Sequence, residues 1–218
     1  MTASATPVIF DLDGTLIDSV PDLRAALNQV FEAEGLAPFD LPTVTSFIGK
    51  GIANLVQRAM ETRGVDMAQH PRLVTAMEAA YEADPTARTR IYPGVIAALD
   101  ALQAAGHPLG ICTNKPETAA RIVLDQMGLT GYFAAIVGGG RVALKPDPAP
   151  LHLCISELGG GTALYVGDSE VDADTAVAAG LPFLLFTEGY RKSPAEEMPQ
   201  TARFSDFSEL PWLVAEQG

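Results

Sequence analysis

Asp11 and Asp13 stand one residue apart in the stretch VIFDLDGT, residues 8–15. If the chain stays extended there, both carboxylates point to one side, because alternate residues of a strand share a face. Two carboxylates so placed raise one another's pKa or require a cation between them. Further along, Thr113 and Asn114 follow the apolar run PLGIC, Lys145 stands in LKPDP, and Asp168 and Asp172 stand in VGDSEVD. This set of side chains suits a divalent metal plus a phosphate. Magnesium prefers oxygen ligands, commonly one or two carboxylates with waters and phosphate oxygens. Asp11 and Asp168 have the chemistry to supply those carboxylates. Lys145 and the Thr113 hydroxyl suit phosphoryl oxygens, and Gly14 lets the backbone approach a ligand closely. A carboxylate can itself attack phosphorus, dividing hydrolysis into two easier steps, while a second protonates the leaving alcohol and then activates water. Each residue alone has a plainer reading, as a turn, a helix cap or a surface lysine. Their joint placement carries the argument.

That placement follows from the elements around them. Five short apolar runs read as strands: PVIF (7–10), PLGICT (108–113), AAIVGG (134–139), ALYVGD (163–168) and PFLLFT (182–187). Continuous rather than alternating runs suit strands covered on both faces, as in a parallel sheet. Helical patterns fill the gaps at 93–106, 116–128, 148–160 and 171–180, the first two opened by Pro and closed by Gly. The alternation predicts a doubly wound, Rossmann-like α/β core. In such a sheet ligands bind outside the carboxyl ends of the strands. Those ends deliver Asp11 and Asp13, then Thr113 and Asn114, then Asp168, with Lys145 in the stretch after the third run.

One interval breaks the rhythm. Residues 19–89 separate the first strand from the rest of the core and contain only helical patterns, at 21–35, 42–49, 51–64 and 71–85. The spacing predicts an all-α domain inserted after the first strand, leaving 1–18 and 90–218 as the core. A formal net charge of −13 argues against nucleic acid or an anionic membrane as partner. Cys112 and Cys154 have no disulfide or metal spacing and read as buried small hydrophobes. The first eight residues carry no secretory pattern and no apolar run approaches membrane-spanning length, so a cytoplasmic protein is expected. His70, His107 and His152 stand alone without a second ligand at usable spacing. The mixed-charge segment 188–200 is expected to connect the last strand to a terminal helix.

DLDGT, ICTNK, LKPDP and VGDSEVD, in that order, resemble the four motifs of the haloacid dehalogenase-like superfamily, and the resemblance spans nearly the whole chain. It implies that Asp11 is the nucleophile and Asp13 the general acid and base. It implies that Thr113 and Lys145 stabilise the phosphoaspartate. Mg²⁺ would then be held by Asp11, Asp168 and the backbone carbonyl of Asp13, with Asp172 supporting that site. Gly14, Thr113, Asn114 and Lys145 become the expected substrate contacts, and the helical insert matches the family's cap. Lys50, in the cap segment FIGKG (47–51), is expected to meet a substrate carboxylate. TNKP, KPDP and GDSEVD look closest to bacterial phosphoglycolate phosphatases, implying hydrolysis of 2-phosphoglycolate by a monomer or homodimer. A phosphatase of another small sugar phosphate, or a mutase of β-phosphoglucomutase type, shares the same core. A dehalogenase lacks the second aspartate, so Asp13 counts against that reading.

Overall fold

The computed structural model describes residues 5–217. Six parallel strands form the main sheet: β1 (Val8–Phe10), β4 (Leu109–Pro116), β5 (Ala135–Gly139), β6 (Leu164–Gly167), β7 (Phe183–Phe186) and β8 (Ala202–Phe204). Their spatial order is β5-β4-β1-β6-β7-β8, so β1 is central and the connections run outward in both directions. Two-residue strands β2 (Ile17–Asp18) and β3 (Arg90–Ile91) pair separately.

The continuous apolar runs are explained by burial on both faces. Val8, Phe10, Ile111, Val166 and Leu184 enter one core cluster, with side chains from α5 (Val95–Ala104), α6 (Glu117–Gln126) and α9 (Leu210–Ala215). The alternate residues Ile9, Cys112, Tyr165 and Leu185 enter the opposite cluster, with α7 (Ala149–Glu157) and α8 (Glu170–Ala179). This is the doubly wound α/β architecture expected from the sequence. Both cysteines are buried and free, and burial pushes the Cys112 thiol up to about 12.

The segment following 188–200 differs from expectation. A sixth strand, β8, intervenes before the terminal helix α9. Within it Arg203 is exposed and Phe204 buried, as befits an edge strand, and three residues are too few to write an apolar run.

Asp18–Arg90 forms a second compact unit. It comprises α1 (Val20–Ala33), α2 (Leu41–Phe47), α3 (Gly51–Arg63) and α4 (His70–Ala83). Proline sits in the first turn of α1, α2 and α4, where a missing N–H costs nothing, and Gly64 closes α3 in the left-handed conformation. Phe31, Phe39 and Phe47 pack edge to face, with centroids 5.4 and 5.7 Å apart. Asp22, buried in the first turn of α1, accepts from Thr89 N at 2.7 Å, Thr89 Oγ1 at 2.8 Å and Arg88 N at 2.9 Å. Those bonds tie the end of the segment back to its beginning.

Candidate active site

β1 ends at Phe10; Asp11 N still bonds the Val166 carbonyl across the sheet at 2.9 Å, and the chain bends at Leu12 before it reaches Asp13. The two carboxylates consequently part and meet different cations. Asp11 lies 3.0 Å from Lys145 Nζ, through its Oδ1. Asp13 receives Lys115 Nζ on both oxygens, at 3.0 and 3.1 Å.

Lys145 is the hub of the deeper group. Its ammonium reaches Asp172 Oδ1 at 2.6 Å and the Tyr165 hydroxyl at 2.9 Å, besides Asp11. Tyr165 in turn donates to Asp172 Oδ1 at 2.7 Å, giving its buried hydroxyl a partner. The other Asp172 oxygen accepts from Ser169 Oγ at 2.6 Å and Ser169 N at 3.1 Å, the capping box that opens α8. Burial works to raise the Asp172 pKa, but the Lys145 charge and hydrogen bond outweigh it and hold this carboxyl below its ordinary value. Burial likewise works against the Lys145 ammonium, and the Asp11 and Asp172 charges more than offset it. Lys145 is therefore a permanent cation.

Asp11 and Asp168 sit in the opposite condition. Burial, set against Lys145, leaves Asp11 raised to about 7, and the Asp172 charge pushes the same way. Burial and the neighbouring Asp172 and Asp11 charges push Asp168 well above the usual carboxylate range. Thr15 Oγ1 donates to one Asp168 oxygen at 2.8 Å and Tyr190 N to the other at 2.6 Å, fixing its orientation. Gly14, at φ +91°, leaves room for Asp168, since a Cβ there would fall 2.5 Å from Asp168 Oδ2.

One oxygen from each of Asp11, Asp168 and Asp172 can be drawn within 4.8 Å of the others. Lys145 approaches Asp11 Oδ1 off the hydrogen-bonding direction, so this buried oxygen has no aligned donor. Hard oxygen donors, excess negative charge and an orphaned carboxylate oxygen fit a small divalent cation.

Thr113, Asn114 and Lys115 owe their positions to an irregularity in β4. Between Cys112 and Pro116 the strand advances four residues while β5 advances only from Val137 to Gly139. The surplus residues bulge, which re-aims side chains. Gly138 and Gly139 permit the fit: a Cβ on Gly138 would meet Glu117 Cα at 2.4 Å, and one on Gly139 the Asn114 carbonyl at 2.8 Å. Thr113 is buried beside the bulge, its Oγ1 accepting from Lys115 N at 3.3 Å.

Asn114, expected as a substrate contact, has its amide bonded at both ends to the Lys145 backbone: Oδ1 accepts from Lys145 N at 2.8 Å and Nδ2 donates to Lys145 O at 3.0 Å. A buried amide must satisfy both ends, and here it anchors the lysine. Lys50, expected to meet a substrate carboxylate, lies exposed in the helical unit at the residue preceding α3. Conversely, Thr15, Lys115, Tyr165, Ser169 and the Tyr190 amide all bond to the site carboxylates without having been singled out in the sequence. Lys115 and Tyr165 left a signal, since a lysine two residues past Thr113 and a tyrosine inside a buried strand both need polar partners.

An acidic trio, an ammonium and a hydroxyl at the carboxyl end of a parallel sheet have the chemistry to take a cation and an anionic group. The model of the haloacid dehalogenase-like hydrolases matches residues 8–186, and the chain belongs to that family. Among curated relatives, the phosphoglycolate phosphatase of Cereibacter sphaeroides is 50% identical over 210 residues, covering 95% of this chain and 96% of the relative. That of Rhodobacter capsulatus is 44% identical over 214 residues, covering 96% and 97%. A solved structure described as a predicted phosphoglycolate phosphatase from Haemophilus somnus superposes with a TM-score of 0.91 at 28% identity, covering 98% of this chain and all of that one.

Proposed function

We propose that the protein is a Mg²⁺-dependent phosphatase that hydrolyses 2-phosphoglycolate to glycolate and phosphate through an aspartyl phosphate on Asp11. The observation that supports the reaction type is that the two strand-end aspartates meet different cations, one against Lys145 in the acidic trio and the other on Lys115. The substrate rests on the relatives, which share up to half their residues with this chain across nearly its full length.

In this reading Asp11 attacks phosphorus as the bond to the ester oxygen breaks, and Asp13 gives that oxygen its proton. Asp13 then takes a proton from the water that cleaves the aspartyl phosphate, returning both carboxyls to their starting state. Lys145 and the Thr113 hydroxyl hold the phosphoryl oxygens, and Asp172 keeps Lys145 charged and in place. Asp11, Asp168 and the Asp13 carbonyl would hold Mg²⁺, with Asp172 supporting them. When bound, the ion neutralises carboxylate and phosphoryl charge so that the two anions can meet.

The test is phosphate release from a panel of small phosphorylated acids and sugars, with and without Mg²⁺. The expected result is metal-dependent release with 2-phosphoglycolate preferred. Preference for a sugar phosphate would overturn the substrate, and isomerised hexose phosphate in place of free phosphate would overturn the reaction.

A further inference from the structure

We infer that Lys115 is the positioning residue of Asp13, holding its carboxyl at the angle from which it serves the leaving group and the water. The inference rests on the acid–base reading of Asp13 given above. Its own basis is the geometry of the pair. One ammonium lies 3.0 Å from one Asp13 oxygen and 3.1 Å from the other, so it bisects the carboxylate and opposes rotation about Cβ–Cγ. Both side chains are largely shielded, with 5% exposure for Lys115 and 16% for Asp13, so water competes weakly for either. An exposed pair held by a flexible lysine would not fix an angle; this one is enclosed.

The backbone also commits Lys115 to this task. It lies on the bulge of β4, where the glycines of β5 admit the displaced chain. The lysine that suits the phosphoryl group is already present as Lys145, held by Asp11, Asp172 and Tyr165. Asp13 stands on the loop after β1, outside any helix or strand pairing apart from a single bridge to Ile17. A side chain on such a segment needs an external hold if it is to meet a reacting oxygen repeatedly. While the Lys115 ammonium keeps it in place, the Asp13 carboxyl gives a proton to the ester oxygen as the phosphorus bond breaks. It recovers a proton from water in the second step, so the pair ends unchanged.

The test compares Lys115→Met with the parent on two substrates in the presence of Mg²⁺, reading release of the leaving group in the first turnover. 2-Phosphoglycolate loses an alkoxide that must be protonated, whereas p-nitrophenyl phosphate loses a phenolate that need not be. Lys115→Met is expected to slow the first about ten- to a hundredfold and the second less than about threefold, with KM little changed. Lys115→Arg, which keeps a cation at the position, should recover part of the loss. Equal slowing on both substrates, or a raised KM at unchanged kcat, would overturn the inference. Asp13→Asn is run alongside: a leaving-group-dependent loss there without one in Lys115→Met rejects Lys115 alone. No such dependence in Asp13→Asn rejects the reading of Asp13 itself. A thermal melt of each variant separates these outcomes from unfolding, and should Lys115→Met fail to fold, Lys115→Gln takes its place.

Discussion

Each unit of the molecule buries aspartate, and the two do so on opposite terms. In the helical unit Asp22 is ringed by donors, with Thr89 and the Arg88 amide filling its oxygens. In the α/β unit Asp11, Asp168 and Asp172 crowd one another, with the Lys145 ammonium against Asp11 and Asp172, and Asp11 Oδ1 lacks an aligned donor. A buried carboxylate whose bonds are complete holds the chain together. A buried group of carboxylates with charge in excess of its cations is poised for something else to bind. The first kind is architecture and the second is a site.

Variants can press on that contrast. Asp11→Asn preserves shape but removes the attacking oxygen, and kcat is expected to fall at least about a thousandfold while the melting temperature holds or rises. Lys145→Met should lower kcat by about 10²–10³ by removing a preorganised positive charge from the phosphoryl group. It should also destabilise the fold, since Asp11 and Asp172 lose their shared cation, and a melt measured beside the kinetics separates the two effects. Unchanged kcat in Lys145→Met would erase the distinction between the units.

Metal should act on one unit and not on the other. The Asp11 pKa is raised to about 7 and that of Asp168 is raised as well, whereas both groups ionise near 4 in an unfolded chain. The native state thus retains protons that the unfolded state has released. These two groups are expected to take stability from the metal-free protein as pH rises from about 4 to 7. Mg²⁺ should therefore raise the melting temperature more at pH 7.5 than at pH 5, and equal gains would contradict the assignment of the trio as its site. The smallest effect on turnover belongs to Asp22→Asn. It should cost about 1–3 kcal/mol of stability by turning an amide toward the donors that now face a carboxylate. It should leave kcat essentially intact, as denaturant unfolding and steady-state assay will show.

Most of the α/β unit could be read from the chain because parallel strands buried on both faces are written as unbroken apolar runs. Their carboxyl ends then pointed to Asp11, Asp13, Thr113, Lys145 and Asp168. What escaped depended on events at single residues. β8 is three residues long with an exposed arginine at its centre, so it left no run. The bulge in β4 is invisible in composition, yet it is what brings Lys115 to Asp13 and turns Asn114 toward the Lys145 backbone. The Tyr190 amide that fixes Asp168 is main chain, and no residue type announces it. The apparent crowding of Asp11 and Asp13 dissolved for a similar local reason: the chain bends at Leu12, between the two.

The most direct test of the account is to quench the enzyme with acid during turnover of 2-phosphoglycolate and map the phosphoryl group by peptide mass spectrometry. The parent should carry it on the peptide containing Asp11, and Asp11→Asn should carry none and release no phosphate. Phosphate release by Asp11→Asn at the parent rate, or a phosphoryl group found on another residue, would contradict the account.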